Sequence, residues 1–298
     1  MTTNDPNPSA PSGDFLSLVL CTVGRQDCLI RFLNHLAGQT DRRFELIIVD
    51  QNSSDALYAV IAPYKELFTV KYVHSARGLS IGRNVGLTFC NGAVVGFPDD
   101  DCWYPEDVVE RVLAIFADPA VQACNGRTQD ADGNDSINRY LDAPTRITKT
   151  NIWNTHNSNA LFIRSQILKR VGGFDPDLGV GAASIYQSGE EVDVILRIMQ
   201  DGTSVFFHPE LIVRHEQVDA AFGTAQIIRA RKYAPGFGRI LRVHRYGAAY
   251  FSYRIARTCF GALLAAVRLD FGKLSYKLAW AWGTLLGYTT SPAPRRLP

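Results

Sequence analysis

Short, continuously apolar runs rich in β-branched residues alternate with amphipathic segments over the first part of the chain. Such runs predict buried strands, and apolar residues three and four positions apart predict helices. Apolar strands separated by helices are typical of a mostly parallel central sheet with flanking helices. The sequence therefore predicts an α/β fold. The predicted strands are residues 15–23, 44–50, 70–75 and 92–98, and the predicted helices are residues 26–39, 56–68, 81–90 and 105–118.

Three of the predicted strands end in polar clusters. These clusters are Thr22 to Arg25, Asp50 to Asp55 and Asp99 to Asp101. The carboxyl ends of parallel strands meet at one edge of a sheet, and ligands of such sheets bind outside that edge. The sequence therefore predicts one ligand site built from all three clusters.

The third cluster places Asp99, Asp100 and Asp101 side by side at the mouth of a buried strand. Like charges repel one another, and a buried carboxylate without a partner is costly. One interpretation is a solvated loop that caps the helix beginning near Pro105. The other is a divalent-metal site, since Mg²⁺ and Mn²⁺ favour carboxylate oxygens together with substrate phosphates. These residues alone leave both interpretations open.

The middle of the chain is less regular. Residues 125–160 are polar and without clear periodicity, so we expect irregular structure there. Residues 188–202 have helical periodicity and carry Glu190 and Glu191 in the predicted first turn, where the helix dipole favours acids. Residues 203–216 predict further strands.

Charge is distributed unevenly although the net charge is only +2. Residues 226–298 hold thirteen Lys and Arg against one acid, Asp270, whereas residues 1–225 hold 18 basic and 28 acidic residues. The basic segment is also rich in aromatic residues, and its apolar runs are shorter than the roughly 18 residues that a membrane span needs. Helices that lie in a membrane interface explain this combination better than a solvated surface does. Nucleic acid is a rival partner, but no nucleic-acid motif is present.

Two features bear on the cellular compartment. None of the six cysteines forms a C-x-x-C pair, which disfavours zinc and dithiol chemistry and suggests reduced core residues. Residues 1–14 are polar and Pro-rich without an apolar stretch, so we expect a disordered leader and no signal peptide. Both features favour the cytoplasm.

Five segments, taken in order along the chain, resemble family 2 glycosyltransferases of the GT-A fold, which use nucleotide sugars and mostly invert the anomeric centre. Each segment alone is a weak signal, and the five in order are a strong one. The segments are LCTVGR (20–25), FELIIVDQNSSD (44–55), GLSIGRNVGL (78–87), FPDDD (97–101) and VGGFDPDLGVG with SGEEVDVILRIMQDG (171–181 and 188–202).

The resemblance implies roles for individual residues. A nucleotide-sugar site would comprise Thr22, Arg25, Asp50, Gln51, Arg83, Asn84, Asp99 and Asp100. The metal, Mg²⁺ or Mn²⁺, would bind principally to Asp101, with Asp99 and His215 as further ligands.

The general base is implied to be Glu191 or Glu190, which would take the proton of the acceptor hydroxyl. The family usually has Glu-Asp at this position, so Glu191 matches the base but is one methylene longer. A second departure is Gln51, where the family commonly has Asp. Since an amide both donates and accepts hydrogen bonds, the choice between UDP and GDP is open.

The resemblance and the composition of the basic segment together suggest an organisation and a setting. Residues 15–225 would form the catalytic domain, and 226–298 a helical region at the membrane interface. The acceptor would be a lipid-linked saccharide at the inner face of the cytoplasmic membrane, as in bacterial polysaccharide assembly. Two rivals are a sugar-nucleotide nucleotidyltransferase and a non-catalytic sugar-binding protein. The first would have a Gly-rich loop after the first strand, which CTVGRQD (21–27) lacks.

Overall fold

The computed structural model describes residues 15–217 and 222–291. Its strands are β1 Leu16–Thr22, β2 Phe44–Asp50, β3 Thr69–His74, β4 Val94–Gly96, β5 Cys102–Trp103, β6 Ala123–Gln129, β7 Thr145–Arg146, β8 Leu161–Arg164 and β9 Val205–His215. Its α-helices are α1 Gln26–Ala37, α2 Ala56–Ile61, α3 Leu79–Leu87, α4 Val108–Phe116, α5 Ser165–Val171, α6 Glu190–Gln200, α7 Thr224–Val243, α8 Ala248–Val267 and α9 Phe271–Thr290.

The described residues fall into two compact units. The first unit contains residues 15–76, Ile81–Gly173 and 197–217, and the second contains Arg77–Ser80, Phe174–Leu196 and 222–291. The predicted leader (1–14) and the end of the predicted basic region (292–298) lie outside the described residues.

The first unit is built on a mixed sheet with the strand order β3-β2-β1-β4-β8-β6-β9-β5, and β7 also pairs with β9. The prediction of parallel strands is confirmed for β3, β2, β1 and β4. Beyond β4 the pairs are antiparallel except that of β6 with β9. Periodicity identifies buried strands but does not show whether neighbouring strands run parallel or antiparallel. The antiparallel pairs beyond β4 were therefore not predicted.

Two further expectations need correction. Residues 125–160 are not wholly irregular, because β6 continues through the first of them and β7 follows. β6 is polar in sequence (ACNGRTQ) yet largely buried, so its strand signal is hidden. Residues 203–216 contain one long strand, β9, where several were expected. The predicted apolar faces of α1 and α4 are buried, as the periodicity indicated.

In the second unit, α7 and α9 pack with their backbones in close approach, and α8 packs against α9. A Cβ atom added at Gly287 would lie 1.9 Å from the carbonyl oxygen of Pro235, and one at Gly238 would lie 2.1 Å from that of Thr284. Glycine is therefore required at both positions for α7 and α9 to pack. No helix of the described residues is both long and apolar enough to cross a membrane.

Candidate functional site

The acidic cluster lies at the carboxyl edge of the sheet, as the strand pattern predicts. Asp99 forms an isolated parallel bridge with Cys21 at the end of β1. Cys102, directly after the cluster, pairs with His215 at the end of β9. Backbone pairing on both sides therefore fixes the three carboxylates between β1 and β9, within the first unit.

Asp100 is the most enclosed of the three, with a side chain only 2% exposed. Thr22 donates a hydrogen bond of 2.7 Å to Asp100 Oδ2, and Arg25 Nε lies 3.1 Å from Asp100 Oδ1. Burial raises the pKa of Asp100 to about 6, although Arg25 and the Thr22 hydroxyl oppose the shift. The carboxylate thus ties β1 and the start of α1 to the acidic loop.

Asp101 lies between Arg25 and His215. Arg25 contacts Asp101 Oδ2, while His215 Nε2 lies 3.6 Å from the other oxygen, Oδ1. Burial opposes ionisation, but His215 and Arg25 together lower the pKa of Asp101 to about 2. For His215, burial lowers the pKa, but the nearby carboxylate of Asp101 outweighs it and raises the pKa above its ordinary value. Asp101 and His215 are therefore electrostatically complementary neighbours at the sheet edge.

Asp99 faces a different cation. Arg83 Nη2 on α3 lies 3.3 Å from Asp99 Oδ1 and also donates to the hydroxyl of Ser158. The Arg83 side chain is buried, and its guanidinium lies 5.7 Å from the ring centre of Phe97. Burial raises the pKa of Asp99, and Arg83 opposes that shift. Ser158 was not predicted, because it lies in the polar stretch without periodicity.

Asp50 and Gln51 lie at the end of β2 and are both buried. Asp50 accepts hydrogen bonds from the Tyr72 hydroxyl at 2.5 Å and from the backbone of Asn52 at 2.8 Å. The amide nitrogen of Gln51 donates to Ser75 Oγ at 2.9 Å and to the Ala76 carbonyl. Tyr72 and Ser75 were missed, although both lie in the neighbouring predicted strand (70–75), which was a usable signal.

The α3 motif packs closely on both preceding strands. A Cβ atom at Gly82 would lie 2.8 Å from Cys21 Sγ and 2.9 Å from Gln51 Nε2, so only glycine fits there. Asn84, the residue after Arg83, is half-buried, and its Oδ1 would lie 2.6 Å from a Cβ atom added at Gly173. The predicted residues Arg83 and Asn84 are thus held on a helix that lies against the sheet edge.

The predicted base residues belong to the second unit. Glu190 and Glu191 open α6, directly after Gly189, whose φ of +90° favours glycine. Glu190 is buried, with its carboxylate against Gly179, and Glu191 is half-buried. The sequence thus places both acids in a first helical turn, as predicted.

A buried ion pair and a buried histidine–carboxylate contact in the same unit were not predicted. His244 Nε2 of α7 lies 2.8 Å from Asp193 Oδ1 of α6. Arg239 Nη2, also on α7, lies 2.9 Å from Asp175 Oδ2. Because breaking a buried ion pair leaves an uncompensated charge, the Arg239–Asp175 contact holds the 174–181 loop on α7. The His244–Asp193 contact joins α6 to the same helix.

The cluster offers part of a metal site. The described residues contain no group of three or more His, Cys, Asp and Glu side chains placed to hold a metal ion. Two donors are present, Asp101 Oδ1 and His215 Nε2, and 3.6 Å is close to the roughly 3 Å that separates two ligands of one Mg²⁺ or Mn²⁺ ion. His215 Nδ1 lies 2.5 Å from the Glu216 carbonyl, which favours a proton on Nδ1 and leaves Nε2 as the ligand atom. The donor set therefore fits a cation that completes its shell with substrate oxygens.

Comparison with known proteins identifies the family. The sequence model of glycosyl transferase family 2 matches residues 17–170, more than half of the chain. The chain belongs to this family. The match confirms the resemblance that the five segments carry.

Two curated glycosyltransferases have about a quarter of their aligned residues identical to those of this chain. A pre-mycofactocin glycosyltransferase of Mycobacterium tuberculosis is 26% identical over 221 residues, which cover 70% of this chain and 44% of that protein. Glycosyltransferase AglE of Haloferax volcanii is 23% identical over 213 residues, 67% of this chain and 66% of that protein. This family 2 chain thus spans about half to two-thirds of the length of these relatives.

Solved structures share the fold across nearly the whole chain. The mannosyltransferase PcManGT from Pyrobaculum calidifontis, in complex with GDP-Man and Mn²⁺, superposes with a TM-score of 0.63 at 17% identity and covers 96% of this chain and 91% of that one. TarS 1–349 of S. aureus, in complex with UDP-GlcNAc, superposes with a TM-score of 0.58 at 14% identity and covers 93% and 92%. The predicted GT-A fold is confirmed.

Proposed function

We propose that this family 2 chain is a metal-dependent, inverting glycosyltransferase that moves a sugar from a nucleoside diphosphate donor to a saccharide hydroxyl. The observation that carries the proposal is the pair Asp101 and His215, with 3.6 Å between Oδ1 and Nε2, at the carboxyl edge of a GT-A sheet. In the two named neighbours, the bound molecules are GDP-Man with Mn²⁺ and UDP-GlcNAc. Those bound molecules support a nucleotide-sugar donor and a divalent cation here.

Asp101 and His215 would hold the metal, with Asp99 as a further candidate. When bound, a divalent cation supplies positive charge to the diphosphate as it leaves. Arg25, now engaged with Asp101 and Asp100, has a side chain that is half exposed and could turn to a diphosphate oxygen. Arg83 differs, because it is buried and held by Asp99 and Ser158.

The donor base would lie at the ends of β1 and β2, near Thr22, Asp50 and Gln51. Gln51 fixes its amide nitrogen on Ser75 and Ala76. These two hydrogen bonds hold the Gln51 amide group in one orientation. The orientation limits which of its atoms the amide can offer to the nucleotide base. UDP-sugars and GDP-sugars are the two candidate donor classes.

Catalysis would need a carboxylate that removes the proton from the acceptor hydroxyl as it attacks the anomeric carbon. Glu191 is our assignment and Glu190 the alternative. Glu191 is half-buried at the start of a helix, where the dipole favours the ionised carboxylate that a base requires. Glu190 is more enclosed, which suits a structural role.

The acceptor would be a lipid-linked saccharide, and the protein would act at the inner face of the cytoplasmic membrane. Support comes from the basic and aromatic composition of residues 226–298 and from the large apolar side chains that α8 and α9 expose. Phe260 is 61% exposed and Trp282 is 68% exposed. Exposed apolar side chains mixed with basic residues are typical of helices that lie in a membrane interface.

A donor panel tests the catalytic proposal. UDP and GDP are titrated calorimetrically with and without Mn²⁺, and UDP- and GDP-sugars are then screened for release of the nucleoside diphosphate. We expect one nucleotide class to bind with Mn²⁺ enhancement and its sugar to be turned over. Use of a nucleoside triphosphate with release of diphosphate would indicate the nucleotidyltransferase instead, and binding without turnover a sugar-binding protein. The anomeric configuration of the product, read by proton NMR, tests inversion.

A further inference from the structure

A cleft of about 550 Å³ opens between α8 and α9, within the second unit. The basic side chains that line it are Arg254, Arg257, Arg268, Lys273 and Lys277. On α8 the basic positions 254 and 257 share one helical face, and Arg268 directly follows its last residue. On α9 the basic positions 273 and 277 are one turn apart. Two helices thus direct their basic faces into one space.

The positive charge in this cleft is poorly neutralised. The one acid in its lining is Asp270, whose carboxylate accepts a hydrogen bond of 2.9 Å from the backbone of Lys273 and so caps α9. Within the part of the chain that the structure describes, Arg257, Arg268 and Lys277 lie within 4.0 Å of no carboxylate oxygen. Burial, and then the charges of Lys273 and Arg257, lower the pKa of Lys277. Such crowding of like charges is relieved by an anion.

The cleft is shaped for a compact group. Gly261 of α8 faces α9, and a Cβ atom there would lie 3.5 Å from Cε of Lys277, so the lysine stem runs close along α8. Tyr276 and Trp280 of α9 complete the wall. A half-enclosed space of this size admits a phosphate headgroup, whereas an extended polyanion would need a longer basic track.

Exposed apolar side chains border the same cleft. Phe260 and Leu264 belong to its lining and are 61% and 42% exposed. Further exposed apolar side chains on the two helices and their connection are Leu263, Val267, Leu269, Phe271, Leu278, Trp282, Leu285 and Leu286. Exposed apolar side chains next to concentrated positive charge match a molecule with a phosphate at one end and hydrocarbon at the other.

We propose that the cleft between α8 and α9 is a binding site for the phosphate headgroup of an anionic membrane phospholipid. Arg257, Arg268 and Lys277 pair with the phosphate oxygens, and the bordering apolar side chains lie among the acyl chains. This proposal rests on the membrane-surface role proposed above and adds a defined site to it. It does not depend on the donor, the metal or the base.

The test is flotation of the full chain with vesicles of phosphatidylcholine, with and without phosphatidylglycerol. The cleft variant is Arg257→Gln with Lys277→Gln. The matched control is Arg231→Gln with Lys232→Gln, which removes the same charge from exposed positions of α7 outside the cleft lining. Circular dichroism confirms that each variant is folded.

We expect the wild type and the control to float only with phosphatidylglycerol vesicles. The cleft variant should bind those vesicles about 25-fold more weakly, since each basic residue at an anionic surface contributes roughly a factor of five. Inorganic phosphate should compete weakly with vesicles, because it lacks the hydrocarbon.

Four outcomes would overturn the site. Equal weakening of both double variants would show general surface charge. Equal binding to both vesicle types would show apolar insertion alone, and full competition by inorganic phosphate would show a site for free phosphate. Failure of the wild type to float at all would overturn the membrane role together with the site, while nucleotide binding and donor turnover would still report on the catalytic proposal.

Discussion

Thr22 donates a hydrogen bond of 2.7 Å to Asp100, although 78 residues separate them in the sequence. The bond joins the end of β1 to the acidic loop after β4, and both side chains are buried. Since Arg25 contacts the same carboxylate, the first polar cluster and the third are connected directly. This contact explains how a loop with three adjacent carboxylates keeps one conformation at the sheet edge.

Removal of that hydroxyl should destabilise the protein. Thr22→Val leaves a buried carboxylate with one partner fewer, so we expect the free energy of unfolding to fall by about 1–3 kcal/mol. The measurement is urea unfolding followed by circular dichroism. The control is Thr40→Val, because exposed Thr40 makes a similar bond of 3.0 Å to Glu110; its effect should stay within about 0.5 kcal/mol. Equal losses of unfolding free energy in the two variants would contradict a structural role for Asp100.

The raised pKa of Asp100 gives a prediction for pH. Its folded value of about 6 exceeds the ordinary 3.8, so the folded state binds the proton more tightly than the unfolded state. The stabilising contribution is therefore present below pH 3.8 and is lost as the pH rises towards 6. Relative to Asp100→Asn, wild-type stability should fall by up to about 3 kcal/mol over this range.

This comparison is made by urea unfolding of both proteins in EDTA at a series of pH values. The difference between the two proteins cancels the titration of groups that they share. A difference that stays constant with pH, or that grows in favour of the wild type as the pH rises, would contradict the buried environment of Asp100.

The paired donors Asp101 and His215 predict the metal dependence. Asp101→Asn and His215→Gln should each weaken Mn²⁺ binding to the nucleotide-bound protein by at least about tenfold, because each removes a ligand. Calorimetric titration with Mn²⁺ measures this. Glu216→Gln is the matched control, since Glu216 is adjacent to His215 but is 63% exposed and pairs with Arg31 at 2.7 Å. Unchanged affinity in the His215 variant would leave Asp101 without its proposed co-ligand.

The sequence indicates where chemistry occurs more reliably than which side chains meet. Periodicity and the strand-end clusters place Thr22, Asp50 and Asp101 at one edge because parallel strands share an edge. Which side chains contact one another at that edge depends on the order of the strands in the sheet. Apolar runs in the sequence do not encode that order. The contact of Arg25 with both Asp100 and Asp101 therefore appears only in the structure.

Buried polar residues account for what the sequence missed. Ser158 contacts Arg83 from a stretch with no apolar period, and Tyr72 reaches Asp50 from a half-buried strand. Hydrophobic patterning is insensitive to such residues, since a hydrogen bond rather than an apolar side chain makes their burial favourable. The cleft between α8 and α9 was missed for a related reason: its basic residues repeat at helical spacing, but the two faces come together only in the packed helices.

Helix packing in the second unit predicts opposite effects for two helical glycines. Gly287→Ala would place a methyl group on the Pro235 carbonyl oxygen, which is backbone and cannot yield, so we expect a loss of at least about 2 kcal/mol. Gly261→Ala in α8 meets only a lysine stem at 3.5 Å, and better helix propensity should add up to about 1 kcal/mol. Thermal unfolding by circular dichroism measures both. Similar melting temperatures for the two variants would contradict the packing.

The assignment of the base leads to the last prediction. Glu191→Gln keeps the shape of the side chain and removes its basicity, so turnover should fall by about 10²–10⁴-fold while the nucleotide Kd stays unchanged. Glu191→Asp, which restores the residue usual for the family, should retain much of the activity if one methylene of reach is tolerated. Steady-state kinetics with the donor found in the panel, together with calorimetry of the nucleotide, provide both numbers.

The control is Glu190→Gln, because Glu190 is the neighbouring carboxylate and is buried against Gly179. Because we assign Glu190 a structural role, Glu190→Gln should lower the stability of the protein. Each folded molecule of this variant should retain most of its turnover. The pH profile separates the two roles, since only the variant that lacks the base should lose the acidic limb of kcat. Loss of that limb in Glu190→Gln, with Glu191→Gln still active, would transfer the catalytic role to Glu190.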